Sequence, residues 1–163
     1  MAFSVQFTQP EDYPGNDTDQ VGGAISSSPE TAFSGTLGEL FASTTSGFVG
    51  TSAATRYMKV FIKNTGDEIS DLTVFLQNVE YPEQLAIAFE AAASDTSVNV
   101  LSTPSGYSGT DFTTPIGLAN GIQPSNTTLA AGASIALWIR LTVPAGLTAD
   151  SAATAVLSVA GTV

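Results

Sequence analysis

Apolar and polar residues alternate with a period of two in the segment Thr55–Asn64, "TRYMKVFIKN". Met58, Val60 and Ile62 fall on one side of an extended chain, and Tyr57, Lys59, Phe61 and Lys63 fall on the other. Because this alternation is typical of a β-strand, we predict a strand here. Both of its faces are partly apolar.

Four further runs show related patterns. After the polar turn at residues 64–68, the run "ISDLTVFLQN" alternates again, and we expect it to form a β-hairpin with the preceding strand. The run "QLAIAFEAA" fits a strand, although its many Ala residues leave a short helix open. Residues 94–128 read as loops with one or two short strands. The alternation at 134–143 predicts a strand that ends at Pro144, because proline cannot donate a hydrogen bond to a sheet. The alternating run 153–163 predicts the last strand.

The first 52 residues differ from the rest. Phe3–Phe7 alternates like a short strand, and the Pro, Gly, Asn and Asp residues that follow favour turns. Phe33, Leu37, Leu40 and Phe41 have near-helical spacing, but neighbouring glycines limit a helix to one or two turns. We therefore divide the chain into an N-terminal arm with short anchors, residues 1–52, and a β domain, residues 53–163.

These elements define a fold class. About seven strands separated by turns, without a long amphipathic helix, predict an all-β protein. We expect an immunoglobulin-like antiparallel β-sandwich with an extended N-terminal arm. A jelly roll is the alternative.

The amino-acid composition argues against several classes of partner. The chain of 163 residues has a formal net charge of -11, so we expect it to avoid nucleic acid. No apolar stretch reaches the roughly 20 residues that span a bilayer, so no membrane partner is expected. The first residues lack the pattern of a secretory signal, which predicts a protein made and kept in a cell or released by lysis.

Little in the sequence indicates catalysis. The chain contains no Cys and no His, which removes thiolate nucleophiles, Cys/His zinc sites and histidine bases. Three groups of carboxylates occur among turn residues, where Asp and Glu are normally solvated. They are Glu11 with Asp12, Asp17 with Asp19, and Asp67, Glu68 and Asp71. Asn16–Gln20 has alternate oxygen ligands but lacks the rest of an EF-hand. We predict no enzyme activity, cofactor or metal.

A basic–aromatic face is the main candidate site. If the strands at 56–64 and 134–143 share a sheet, one face of that sheet combines cations with aromatic rings, residue types that are enriched at protein interfaces. The candidates on this basic–aromatic face are Tyr57, Lys59, Phe61, Lys63, Trp138 and Arg140, with Phe75 added if the hairpin forms. Three readings stay open: an interface for an acidic partner, a surface covered by the arm, or ordinary packing with Trp138 inside.

Three motifs then suggest a family. "GELF" at 38–41, "RYMKVFIKNTG" at 56–66 and "ALWIRLTVPAG" at 136–146 resemble, in this order, tailed-bacteriophage virion structural proteins. The likeness covers about 110 to 130 residues and rests on strand and turn signals. The chain departs from the family in having Ala42–Thr45 after the Leu-Phe pair and Arg56 and Met58 around Tyr57, so an ion pair of the family is not carried over.

The resemblance implies a capsid decoration or cement protein on the outer capsid surface, made in the host cytoplasm. Its implied partners are the major capsid protein and further copies of itself, since such cement proteins commonly form trimers. Phe3, Val5 and Phe7 are candidate arm contacts that would add a strand to a neighbour's sheet. Two alternatives are a tail or baseplate component, and a glycan-binding module that stacks sugars on Tyr57, Phe61 and Trp138.

Overall fold

The computed structural model describes residues 4–8, 10–12, 20–25, 54–90, 98–99, 104, 107, 111–146 and 154–163. Nearly all of its regular structure is β-strand. The strands are β1 Val5–Thr8, β2 Pro10–Asp12, β3 Gln20–Ile25, β4 Ala54–Asn64, β5 Ser70–Gln77, β6 Leu85–Phe89, β7 Val98–Asn99, β8 Ser134–Val143 and β9 Val156–Thr162. A single 3-10 turn, Leu118–Asn120, accompanies them in the described residues. The all-β prediction is confirmed.

The strands form three antiparallel sheets. The largest has the order β1-β4-β8-β6, a second pairs β5 with β9, and a small one has the order β2-β3-β7. The long β4–β8 ladder runs from Ala54 opposite Val143 to Lys63 opposite Ser134. The strand at 134–143 ends before Pro144 as predicted, because proline has no N–H to donate to the ladder.

The hydrophobic core lies between the β1-β4-β8-β6 sheet and the β5–β9 sheet. Met58, Val60 and Ile62 of β4 belong to the same buried cluster as residues on the alternate positions of β5. Those β5 residues are Leu72, Val74 and Leu76, each almost fully buried. Leu157 and Val159 of β9 pack against this cluster, and the face predicted for Met58, Val60 and Ile62 of β4 is confirmed.

The predicted hairpin between β4 and β5 is wrong. β4 pairs with β1 and β8, whereas β5 pairs with β9, so the chain crosses from one sheet to the other between residues 64 and 70. Asn64 explains this corner. Its buried side chain donates to the carbonyls of Asp67, Leu129 and Ala130, and its Oδ1 accepts from the Gly66 N–H. The Asn-Thr-Gly turn is thereby tied to the turn that precedes β8.

The N-terminal strand belongs to the large sheet. β1 pairs antiparallel with β4, from Val5 opposite Asn64 to Thr8 opposite Phe61. Val5 and Phe7 pack against the chain's own core. β1 lies at the edge of this sheet, and the use of Val5 and Phe7 as contacts to a neighbouring copy stays a prediction. Phe3 and the proposed helical turn at 33–41 lie outside the described residues.

The segment between β5 and β8 contains one further strand of the large sheet and a short strand, β7. Residues 85–89 form a strand and not a helix, because they complete the large sheet against β8. The described part of the 94–128 region contains one short strand, β7. The segment 111–130 joins the two main sheets along one edge: isolated bridges connect Thr113 to Ile87 of β6, and Ile122 to Val74 of β5.

Candidate functional site

The structure brings most of the predicted basic–aromatic face together. In the β4–β8 ladder Lys59 lies opposite Trp138, and Tyr57 lies opposite Arg140. Directly opposed residues of antiparallel strands project to the same side, so these four side chains share one face with Phe61 and Lys63. The prediction that they share one face of one sheet is confirmed.

This face is not open to solvent, however. Trp138 is 0% exposed and Lys59 is 2% exposed, and Tyr57 and Phe61 are also buried. Lys63 and Arg140 are half-buried. The expectation of an exposed docking surface is therefore wrong for the aromatic residues and for Lys59. The large sheet is covered on both faces.

Aromatic residues from a distant part of the chain provide some of this cover. Tyr107 meets Trp138 edge to face with ring centroids 6.5 Å apart, and it lies 5.4 Å from Phe112. Phe112 in turn lies 5.5 Å from Tyr57. The Tyr107 hydroxyl donates to the carbonyl of Phe89 at 2.8 Å, which fixes this layer to the edge strand β6. Such tilted and edge-to-face arrangements are the favoured ones for aromatic pairs.

The small side chains of β6 make room for this layer. Ala88 lies opposite Trp138 and Ala86 opposite Arg140, so both alanines are on the same side of the sheet as the indole and the guanidinium. The Arg140 Cζ sits 5.0 Å from the centre of the Phe112 ring. A cation over an aromatic ring is attracted by the negative charge of the ring face. Arg140 therefore contributes to the packing of the 111–112 segment on the sheet.

Lys59 forms an ion pair inside this layer. Its Nζ donates to Oε1 of Glu90, and the two side chains are 3% and 12% exposed. The same Nζ lies 5.1 Å from the Phe61 ring centre and 5.7 Å from that of Trp138. A lysine charge so far from water requires a partner, because desolvation of an unpaired charge is very costly.

Sequence reasoning did not identify Glu90. The signal was present, since Glu90 is the acidic residue that directly follows the apolar strand β6. Its backbone N–H donates to the carbonyl of Ala136 at 3.1 Å, which continues the β6–β8 pairing by one residue and brings the carboxylate to Lys59. Only the order β4-β8-β6 brings the two charges together across β8.

Phe75 is separate from this face. It lies on β5, opposite Ser158 of β9, and thus in the other sheet. It is buried, but it alternates with the core residues Val74 and Leu76 and does not belong to their cluster. Its inclusion in the basic–aromatic face depended on the hairpin and is wrong.

The reading in which the arm covers this sheet has partial support. The arm strands β2 and β3 approach β4. Within the described residues, the aromatic side chains that contact the basic–aromatic face are those of Tyr107 and Phe112.

Two buried polar atoms have no hydrogen-bond partner among the described residues. They are the indole Nε1 of Trp138 and the hydroxyl of Thr8, both on fully buried side chains. Thr8 lies opposite Phe61 in the β1–β4 ladder, so it shares the side of the sheet that carries Trp138. Buried polar groups are normally hydrogen-bonded in folded proteins.

The carboxylates considered for catalysis or metal binding do not form a site where they are described. Asp67, Glu68 and Asp71 are exposed around the corner between β4 and β5. Glu11 and Asp12 lie in β2, whereas Asp17, Asp19 and most of the Asn16–Gln20 segment lie outside the described residues. In the part of the chain that the structure describes, no three acidic, His or Cys residues group as metal ligands. None of the helical segments described is long and apolar enough to span a membrane.

Comparison of the chain with protein-family models, with curated proteins and with solved structures gave no match.

Proposed function

We propose that the two main sheets form an immunoglobulin-like sandwich. In that fold, strands A, B, E and D make one sheet, and C, F and G make the other. The order β1-β4-β8-β6 corresponds to A-B-E-D, and the pair β5-β9 corresponds to C-F, with chain order preserved. β2, β3 and β7 are then insertions. This correspondence favours the immunoglobulin-like arrangement over a jelly roll.

We further propose that the chain is a non-enzymatic structural protein of a phage virion, specifically a capsid decoration protein on the outer shell. The observation that carries this proposal is that side chains of the basic–aromatic face are buried in the protein's own packing. Lys59, Trp138 and Tyr57 are packed between a sheet and its covering segment. This arrangement suits a rigid module that strengthens an assembly, and the sequence motifs resemble those of virion proteins.

The glycan-binding alternative loses its physical basis. Its stacking platform required Tyr57, Phe61 and Trp138 to present their rings to a sugar, but all three are buried within the chain. A tail or baseplate component is the second proposal, since an immunoglobulin-like module serves either position.

The test is immunogold electron microscopy of virions from the phage whose genome encodes the chain. We expect label over the head. Particles that lack the protein should also lose their DNA at a lower temperature than complete particles, and at low salt concentrations that complete particles withstand. Label restricted to the tail would favour the second proposal, and absence of label from intact virions would overturn both.

A further inference from the structure

Strand β9 has one edge that no other described strand occupies. Among the described residues β9 pairs only with β5. The opposite edge of β5 is taken, because Val74 bridges to Ile122 of the segment 111–130. The same segment bridges to Ile87 of β6 through Thr113. β5 therefore lies toward the β6 side of the large sheet, and the open edge of β9 lies toward the β1 side.

The hydrogen bonds of β5 show which backbone groups of β9 point to this open edge. The Val74 N–H donates to the Ile122 carbonyl and the Ile122 N–H donates back, both at 2.9 Å, so the backbone groups of Val74 point away from β9. The next residue, Phe75, then directs its backbone groups to Ser158, its partner in the β5–β9 ladder. The direction alternates from residue to residue along β9 as well. The residues whose N–H and C=O groups point to the open edge are Leu157, Val159 and Gly161.

The core is covered less completely on this side of the sandwich. Val74 and Leu76 of β5 are 0% and 1% exposed, whereas Val159 and Leu157, which lie opposite them on β9, are half-buried. The two apolar side chains of β1 that pack against the core are half-buried too. Another chain segment beside β9 would remove more of this apolar surface from water. In the immunoglobulin-like arrangement proposed above, the place beside strand F belongs to strand G.

The sequence of β9 lacks the features that keep strand edges from pairing. Natural edge strands are commonly protected by Lys, by Pro or by other charged residues. Residues 151–163 contain none of these, although the whole chain carries a formal net charge of -11. Two copies of so acidic a chain repel each other, and a contact strand without charge is where they can approach with the least repulsion.

We propose that the open edge of β9 binds a second copy of this chain by antiparallel pairing with β9 of that copy. The set Leu157, Val159 and Gly161 is symmetrical about Val159. A twofold axis at Val159 therefore gives every backbone group of the set a partner, about six hydrogen bonds in all. Leu157 lies opposite Gly161 of the second copy, which leaves room for the larger side chain, and Ser158 lies opposite Ala160.

A second copy fits this edge because it brings the same uncharged strand and the same half-buried apolar side chains. The two β5–β9 sheets then form one continuous sheet across the pair. A twofold contact of this kind joins two copies and does not by itself build a trimer. The pairing does not depend on the proposed virion role.

Sedimentation equilibrium of the purified chain over a concentration series tests this pairing, and we expect a monomer–dimer equilibrium. Ser158→Lys should raise the Kd of the dimer about tenfold, because the substitution enters the contact twice and places like charges there. Adding Ala160→Glu should restore most of the affinity, since each new carboxylate lies opposite the new lysine of the other copy. The matched control is Gln77→Lys. Gln77 is exposed on the same face of β5 as Phe75, one strand away from the contact, and its substitution should change the Kd less than about twofold.

Each result decides for or against the pairing. A chain that stays monomeric at all concentrations, or an association that Ser158→Lys leaves unchanged, overturns it while the virion proposal stands. Failure of Ala160→Glu to restore the affinity overturns the register about Val159. Melting curves followed by circular dichroism confirm that the variants are folded. If Ser158→Lys melts early, Thr162→Lys replaces it: Thr162 is exposed, would lie opposite Val156 of the second copy, and should raise the Kd severalfold, whereas no change overturns the pairing.

Discussion

The buried ion pair between Lys59 and Glu90 permits a quantitative test of how the covered face of the large sheet is stabilised. Replacement of Glu90 by Gln keeps the size of the side chain but leaves the Lys59 charge without its carboxylate. The Lys59 side chain is 3% exposed, so water can replace little of the lost interaction. Breaking a buried pair on one side typically costs about 3–5 kcal/mol. Because Glu90 retains 12% exposure, we expect a loss near the lower limit, about 3 kcal/mol.

The double variant Lys59→Met/Glu90→Gln should recover most of this loss. Met keeps an apolar stem of similar length next to Phe61 and Trp138, and no charge then needs a partner. Replacing both members of a buried pair is often neutral, so we expect stability within about 1 kcal/mol of the wild type. The control is Lys63→Met, which lies on the same face of β4 but is half-buried, and it should change stability by less than about 1 kcal/mol.

Urea unfolding followed by the fluorescence of Trp138, the single tryptophan, measures these free energies. A loss of about 3 kcal/mol also lowers the Tm by roughly 6–12 °C for a chain of this size. The reasoning is refuted if Glu90→Gln costs no more than Lys63→Met, since the pair would then be solvated. It is equally refuted if the double variant loses as much free energy of unfolding as Lys59→Met and Glu90→Gln lose in total when each is made alone.

Three other changes test separate features of the fold. Trp138→Ala should lower the free energy of unfolding by about 3–5 kcal/mol, measured by circular dichroism, and a smaller effect than about 1 kcal/mol would place the indole at the surface. Asn64→Ala should cost about 2–4 kcal/mol in urea unfolding, because buried carbonyls at the corner lose their donor, whereas the exposed Asn126→Ala should cost less than about 1. Gly121→Ala would place a Cβ 2.3 Å from Cγ2 of Thr73, so its Tm should fall; adding Thr73→Ser should restore part of the loss, and no restoration would contradict this contact.

Local pattern located the strands well. The alternation in β4, β5, β8 and β9 predicted their approximate extents. In β4 and β8 it also predicted which residues share a face, because side chains of an extended chain point alternately to opposite sides. The pattern did not predict which strands pair with each other in the sheets. The Asn-Thr-Gly sequence after β4 is compatible with a hairpin turn, and only the carbonyls of Leu129 and Ala130, distant in sequence, make Asn64 the centre of a corner.

The candidate site shows the same division. The sequence predicted which residues of β4 and β8 share the basic–aromatic face. It did not predict that most of this face is buried. One signal pointed to burial: β4 carries apolar residues on both faces, with Tyr57 and Phe61 on the side that was expected to face solvent. A strand covered on both sides shows that composition. The covering residues Tyr107 and Phe112 lie some fifty residues further along the chain, in a region without regular periodicity.

The sequence by itself determined the all-β class, which residues of the main strands share a face, and the confinement of all positively charged side chains to Arg56, Lys59, Lys63 and Arg140. These properties depend on the order of residues along an extended backbone. The tertiary structure alone decided that β5 pairs with β9, that Glu90 neutralises Lys59, and that Ile116, Leu118 and Val156 stay exposed. Those outcomes depend on which distant segments compete for each strand edge and each sheet face, and local pattern carries no information about that competition.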